Sequence, residues 1–383
     1  MDGKRFLNSV KFTNLLSFGP DGMELELHPL NILIGPNASG KSNFIDAMRI
    51  LQMIFVDISS PFSKGGNTSD WLWKGDRYRE FCSISLSMYG ESGSFVYSVD
   101  IFADKPRPSF KFERINFTDK LGNQAVISDS HSDQNSISNF YNFEKVSLEL
   151  KNNSLFRNEN AWFAKELNKL KDLRIYSDYE LGRYSKIRIP QNASLDPGDI
   201  FEGFGNLSLV INDLVSRPDI LSKIVEKMKI FYSDIVNVNT RTAFGTIQLY
   251  LQEKNVSETI PATRLSDGTI RFLSLIAVLL HPEPPPLICL EEPEIGMHPD
   301  ILPAIAEMLI DASQRTQLIV TTHSDILLSA IGKTCPEAVV VCEKGTSGTN
   351  MTRPDPEQLS KWIEENSDLG NVWLSGLIGG NRW

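Results

Sequence analysis

The sequence predicts an α/β fold: a mainly parallel sheet flanked by helices, with an antiparallel β subdomain and a helical insertion added to it. Three observations predict this. The apolar run Leu30–Ile34 leads into Gly35-Pro36-Asn37-Ala38-Ser39-Gly40-Lys41-Ser42, and Phe44, Ala47, Met48, Leu51 and Phe55 then recur at helical spacing. The last third of the chain alternates short apolar runs with helical periods, the rhythm of parallel strands joined by crossover helices. Between these two regions, residues 79–102 hold two alternating runs around Gly90-Glu91-Ser92-Gly93, which read as a hairpin.

The elements follow in order. Ser9 to Phe18 and Glu24-Leu25-Glu26-Leu27 alternate as strands that lead into the Leu30–Ile34 strand, and Asn43 to Phe55 reads as a helix. Residues 60–75, rich in Ser, Gly, Pro and Asn, read as a loop. Further short strands are expected at Ser109 to Phe117 and Val146 to Leu150. The polar segment Ser128 to Asn139 between them carries too little apolar surface to offset ordering. From Ala161 to Phe231 the period is helical, through Leu167, Leu170, Leu173, Leu207, Ile211, Leu214, Ile224 and Met228. Then come a strand at Ile247–Gln252, a helix at Thr269–Leu280 stopped by His281-Pro282-Glu283-Pro284-Pro285-Pro286, and a strand at Leu287–Leu290. A helix at Pro299–Ala312, a strand at Gln317–Thr321, a strand at Ala338–Cys342 and a helix at Pro356–Glu365 complete the series. The expected division is a head of residues 1–60 and 245–383, an antiparallel β insertion at 61–160 and a helical insertion at 161–244.

Composition narrows the function. At 383 residues with 41% hydrophobic content, the chain can bury a large core. A formal charge of −10 argues against a surface that coats nucleic acid as a whole. No run of about 18 apolar residues occurs and the N-terminus lacks an apolar leader, so a cytoplasmic protein without membrane partners is expected. Cys82, Cys289, Cys335 and Cys342 are scattered without metal-ligand or disulfide spacing.

The spacing G-x-x-x-x-G-K-S between a strand and a helix is a P-loop, so the expected cofactors are ATP and Mg²⁺. Gly35, Pro36, Asn37, Ala38, Ser39, Gly40, Lys41, Ser42 and Asn43 are the expected nucleotide-binding residues. Loop amides and the positive end of the helix face phosphate, Lys41 reaches the β and γ phosphates, and Ser42 ligates the metal. A P-loop needs an acidic partner, and the strand Leu287–Leu290 delivers Glu291 and Glu292. In this Walker B arrangement Glu291 holds the metal and Glu292 polarises the attacking water. Gln52, inside the first helix, is poorly placed to sense a γ phosphate. Two basic groups stay open between nucleic-acid contact and packing: Lys64, Lys74, Arg77 and Arg79 with Trp71, Trp73 and Tyr78, and Arg183, Lys186 and Arg188.

The third strand ends in Thr321-Thr322-His323-Ser324. P-loop, strand-Glu-Glu and strand-Thr-His-Ser in this order resemble ABC-type ATPase heads of the RecF, SMC and OLD branches, which implies that His323 is their γ-phosphate-contacting switch histidine. The resemblance also implies a signature segment that completes the site of the opposite subunit. Here it reads Arg264-Leu265-Ser266-Asp267-Gly268-Thr269, with Ser266 and Gly268 at a helix start suited either to γ phosphate or to ordinary capping. Asp267 departs from the family's first glycine, and a carboxylate beside phosphate repels unless it turns away or meets a cation.

Together with Glu291-Glu292-Pro293-Glu294-Ile295-Gly296-Met297-His298-Pro299 and Gly379-Gly380-Asn381-Arg382-Trp383, this segment is similar to stand-alone bacterial AAA-family ATPases of RecF- and OLD-like type, many of them linked with defence against phage. Glu294 and His298 fall where such heads place a loop that communicates between subunits. The resemblance implies a homodimer sandwiching ATP, alone or within a larger assembly. Residues 324–383 leave no room for the TOPRIM domain of OLD nucleases, so an effector, such as a nuclease, is expected on a separate chain. DNA stays open as a ligand, and a nucleotide-gated scaffold or a RecF-like repair ATPase are the alternatives.

Overall fold

The alternation near the N-terminus forms β1 (Ser9–Thr13) and β2 (Met23–Glu26), paired antiparallel with Val10 opposite Leu25. In this computed structural model the described residues are 3–56, 68–75, 80–90, 93–102, 109–122, 124–131, 163, 165–177, 179–198 and 200–379. The chain divides into two compact units. The P-loop unit comprises Arg5–Leu173, Val339–Asp355 and Gly376–Trp383, and the second unit comprises Met1–Lys4, Arg174–Ala338 and Pro356–Ser375.

In the P-loop unit, β3 (Leu30–Ile34) is buried at all five positions, as a strand covered on both faces must be. It leads into α1 (Lys41–Ile54). The hairpin expected at 79–102 is β4 (Phe81–Tyr89) and β5 (Gly93–Phe102), continued by β6 (Ser109–Asp119) and β7 (Gln124–His131). These strands form one antiparallel sheet in the order β2-β1-β4-β5-β6-β7. Its period-2 alternation puts Val10, Phe12, Ile84, Leu86, Phe95 and Tyr97 on a buried face. The α1 side chains pack there: Phe44 meets Phe12 edge-on at 5.5 Å, and Phe55, just past the helix, lies 5.6 Å from Tyr97.

One expectation is corrected here. Residues 128–131 of the polar segment belong to β7, whose main chain pairs with β6 at the end of the sheet. A terminal strand needs few apolar side chains, because backbone pairing on one side holds it. The strand expected at Val146–Leu150 lies outside the described residues.

The second unit corrects the helical reading of Ala161–Phe231. Helical turns at 165–172 give way to β8 (Arg174–Tyr176), and β9 (Gln191–Asn192) follows before the periodicity becomes α2 (Leu207–Val215) and α3 (Pro218–Phe231). A second hairpin is formed by β10 (Ile235–Ala243) and β11 (Thr246–Glu253), with β9 and β12 (Ile260–Pro261) also on β11. The expected strand-helix rhythm then appears as α4 (Asp267–Leu279), β13 (Leu287–Glu291), α5 (Leu302–Ser313), β14 (Gln317–Thr321) and α6 (Asp325–Gly332). β8, β13 and β14 run parallel, with Cys289 opposite Ile319 on one side and Ile175 on the other.

The chain returns to the P-loop unit with β15 (Val339–Gly345), parallel to β3, and β16 (Gly348–Thr352), antiparallel to β15. It ends in the second unit's α7 (Pro356–Asn366) and α8 (Leu369–Leu374) before the last residues. No described helix is long and apolar enough to cross a membrane.

Candidate nucleotide site

In the P-loop unit, the turn after β3 is built on two glycines that no other residue could replace without movement. At Gly35 (φ 150°) an added Cβ would lie 2.2 Å from the main-chain oxygen of Cys342, and at Gly40 (φ 104°) it would lie 2.3 Å from Thr349 Oγ1. Ala38 between them is also left-handed, at φ 62°. β15 and β16 thus press on the loop from behind, and Thr349 Oγ1 sits 3.0 Å from Ser39 O. Pro36, Asn37 and Ala38 form the accessible crest, whereas Gly35, Ser39 and Gly40 are buried.

Lys41 is 6% exposed, and its ammonium donates to the carbonyls of Gly35 at 2.8 Å and Pro36 at 3.1 Å, so its charge is held over the loop. α1 begins at Gly40 with no side-chain cap and no acidic residue in its first turn. Its unsatisfied N–H groups and positive dipole end are therefore not neutralised by any side chain of that first turn. Ser42 is exposed there, with Asn43 half-buried beside it, and Ser39 Oγ is buried with no hydrogen-bond partner. These features fit a polyphosphate. Gln52 is buried in α1 and donates to Leu173 O at 2.6 Å, which makes it a packing residue as its helix position implied.

In the second unit, β13 carries Glu291 to its last position, half-buried. Glu292 turns out of the strand at φ 46°, a conformation that strains a non-glycine residue by about 1–3 kcal/mol. Its amide donates to Thr321 O at 3.1 Å, which holds the turn. Its carboxylate Oε1 then lies 3.4 Å from His323 Nε2. His323 follows β14 and precedes Ser324, which caps α6 by accepting from Leu327 N.

Glu294, which the resemblance puts on a loop that communicates between subunits, also makes contacts within its own unit. Its Oε1 accepts from Thr322 Oγ1 at 2.5 Å and from the His323 amide at 2.9 Å, so it fixes the backbone on which the histidine rides. Burial pushes its carboxyl above the ordinary range, against the lowering effect of those hydrogen bonds. The available signal was its place two residues after Glu292 on a turn that must return toward β14. His298 is exposed and caps the short turn Pro299–Ile301.

The segment Arg264–Thr269, expected as the signature, lies in the same unit, at the start of α4. Ser266 is the N-cap, accepting from Thr269 N at 3.1 Å, so the capping role is present. At Gly268 an added Cβ would meet only ordinary contacts, the nearest at 3.5 Å; the chain's own packing does not require glycine there. Asp267 meets a cation: it pairs with Arg188, whose side chain is 4% exposed. The same guanidinium donates to the carbonyls of Leu181 at 3.1 Å, Ala262 at 3.1 Å and Leu265 at 2.6 Å.

Of the basic groups left open by sequence, Arg188 is therefore structural, and Arg183 and Lys186 are exposed. Lys64, Arg77, Tyr78 and Arg79 lie outside the described residues, and Lys74 sits 3.6 Å from Asp70. Among the described residues, no group of three or more His, Cys, Asp and Glu side chains is arranged to hold a metal. The hydroxyl of Ser42 and the carboxylate of Glu291 are hard oxygen donors of the kind Mg²⁺ takes alongside substrate phosphates.

Comparison with known proteins supplies the family. A family model described as "AAA domain, putative AbiEii toxin, Type IV TA system" matches residues 30–329. No curated protein matches the chain in sequence. Among solved structures, an Smc head bound to the C-winged helix domain of ScpA is 12% identical, with a TM-score of 0.59, over 92% of this chain and 99% of that one. The Smc head domain with an extended coiled coil, bound to the C-terminal domain of ScpA derived from Pyrococcus furiosus, is 11% identical with a TM-score of 0.54, over 94% and 98%. The Smc head domain with a coiled coil and joint derived from Pyrococcus yayanosii is 11% identical with a TM-score of 0.52, over 94% and 99%. The chain belongs to this AAA family, and its fold is that of an ABC-type ATPase head like those of Smc proteins.

Proposed function

We propose that the chain hydrolyses ATP, closes as a homodimer around two nucleotides, and reopens on hydrolysis to drive or gate a DNA-related or anti-phage process through a separate effector chain. The observation that carries this reading is the Glu292–His323 pair, 3.4 Å apart at the ends of neighbouring parallel strands. A carboxylate and an imidazole held this way can share the proton taken from an attacking water and sense the charge of the γ phosphate. Lys41 and the loop of Gly35 to Ser42 bind and orient the phosphates, Ser42 and Glu291 are the residues that would hold Mg²⁺, and the Ser266–Gly268 segment approaches the nucleotide of the partner. Bound Mg²⁺ supplies charge neutralisation on the phosphates.

Two names support a separate partner. The family is described by a type IV toxin–antitoxin system, and an Smc head of this fold is seen with a domain of ScpA. The same family description favours a second reading, in which slow turnover serves a scaffold that holds a toxic effector inactive.

The test is Glu292→Gln. ATP binding is expected to persist, turnover to fall roughly 10²- to 10⁴-fold, and a closed dimer to accumulate in sedimentation velocity. Hydrolysis at the wild-type rate would remove Glu292 from the mechanism. Turnover measured with and without DNA separates the readings, because strong stimulation counts against the scaffold.

A further inference from the structure

In the second unit, β10 ends its sheet: β11 pairs with one side of it, and β9 and β12 pair with β11. Among the described residues, no main-chain hydrogen bond reaches residues 236–243 from outside that hairpin. The outward main-chain groups of a nine-residue strand are therefore left as a row of donors and acceptors, with the Val238 amide turned to the neighbouring Asn237 Oδ1 at 2.9 Å. Long edges are commonly guarded by proline or by several charges. β10 has no proline and no acid, and its one charged side chain, Arg241, lies over the Tyr250 ring at 4.8 Å. The register shift near Ile235 leaves the rest of the pairing regular.

Both ends of this edge carry apolar surface. At the hairpin turn, Phe244 is fully exposed and takes φ 50° beside Gly245 at 74°. A two-residue turn of this kind favours Asn or Gly at the Phe244 position, where a bulky side chain is a strained outlier. A side chain that strains its turn and buries nothing in its own chain is explained by a contact outside it. At the other end of the strand, Tyr232, Val236 and Val256 are exposed.

We propose that two copies of the chain pair through β10, antiparallel about a two-fold axis at Asn239, in an interface that needs no nucleotide. Side chains of the two copies share a face only when the axis falls on a residue, and Asn239 is the middle of Ile235–Ala243. This register sets Val236 opposite the partner's Thr242 and Arg241 opposite the partner's Asn237, so no like charges meet. It also brings the Phe244 end of each copy to the Tyr232 and Val236 end of the other, which covers both apolar ends at once. One arginine and no lysine on the strand are too little for a nucleic-acid backbone. The contact is isologous and closes as a dimer, separate from the ATP-bridged one proposed above. A chain that uses both contacts assembles beyond a dimer.

The experiment is sedimentation velocity on the full chain, freed of nucleotide and Mg²⁺, over a concentration series. A monomer–dimer equilibrium is expected. Phe244→Asn should raise the melting temperature, because Asn suits the turn, yet weaken the dimer constant about ten- to a hundredfold. Val236→Lys should weaken it as well, and Thr242→Glu in the same chain should restore most of it. Those two positions lie about 20 Å apart along one strand but face each other across the pair.

A nucleotide-free chain that stays monomeric throughout the series overturns the proposal, and so does a dimer that Phe244→Asn leaves unchanged. Weakening by Val236→Lys without rescue overturns the register and with it the strand pairing. If Phe244→Asn spares the dimer and instead abolishes flotation with phosphatidylcholine vesicles, the turn is a membrane contact and the proposal falls. The ATP-bound Glu292→Gln dimer is read separately, so either contact can fail without the other.

Discussion

Arg188 shows how one side chain can decide whether a departure from a family pattern is tolerated. Under the proposed signature assignment, Asp267 stands where the resembled ABC-type heads carry glycine, and an unpaired carboxylate there would repel an incoming phosphate. The Arg188 guanidinium removes that charge and at the same time satisfies three main-chain carbonyls. The two partners are unequal, because Arg188 is 4% exposed and Asp267 is 68% exposed. Arg188→Met should therefore destabilise the protein by about 3 kcal/mol, since it strands buried acceptors, whereas Asp267→Asn should cost about 1 kcal/mol or less. Urea unfolding of the two variants checks the order; equal losses would mean that the exposed ion pair, and not the carbonyl contacts, carries the stability. None of this was legible in the sequence. Arg188 and Asp267 are 79 residues apart, and main-chain acceptors leave no residue signature.

At the scale of elements, the P-loop is a tight turn held against two strands, and its two structural glycines should respond differently to substitution. Gly35 faces a main-chain carbonyl that cannot move aside, while Gly40 faces the Thr349 side chain. Gly35→Ala is expected to lose about 3 kcal/mol or more together with nucleotide binding. Gly40→Ala should also lose binding, but Thr349→Ala in the same chain should restore part of the stability by removing the two closest clashes, leaving the Ser17 Oγ contact at 2.9 Å and a φ penalty of about 1 kcal/mol. Melting curves with nucleotide titration test this; equal damage at both sites with no rescue would show that backbone strain alone sets the cost.

The motif elements were legible because they combine a strong period with strong punctuation: β3 and β14 match their predicted ranges, Leu30–Ile34 and Gln317–Thr321. Other elements lacked one or the other. β8 is a three-residue strand, too short to show a period after Leu167, Leu170 and Leu173. β10 shifts register between Ile235 and Asn237 and buries only Ile235 and Val238, so its apolar signal is faint. β7 is held by main-chain pairing at the end of its sheet, so its composition resembles a loop.

For the molecule as a whole, the two units carry opposing responses to acid. In the P-loop unit, His28 is pushed down to about 4 by burial first, then by the positive charges of Arg353 and Arg5. Arg353 stays close because its guanidinium binds Asn31 Oδ1 and the carbonyl of Glu26, while Asn31 pairs with the His28 main chain. A histidine held neutral in the fold takes up its proton only on unfolding once the pH drops below 6.5. The stability it contributes is therefore present above 6.5 and is lost as pH falls from 6.5 to about 4. Glu294 in the second unit has a raised carboxyl, so its contribution is fully present below 4.5 and is lost as pH rises through its folded value. Acidification across that interval should loosen the P-loop unit while Glu294 favours the second one. Hydrogen exchange, corrected for the intrinsic rate at each pH, reads the units separately. Peptides from β1 to α1 should lose protection between pH 6.5 and 4 in the wild type, and His28→Asn should flatten that loss without changing peptides across β13 and β14. An unchanged slope in the variant would assign the acid sensitivity of this unit to groups other than His28.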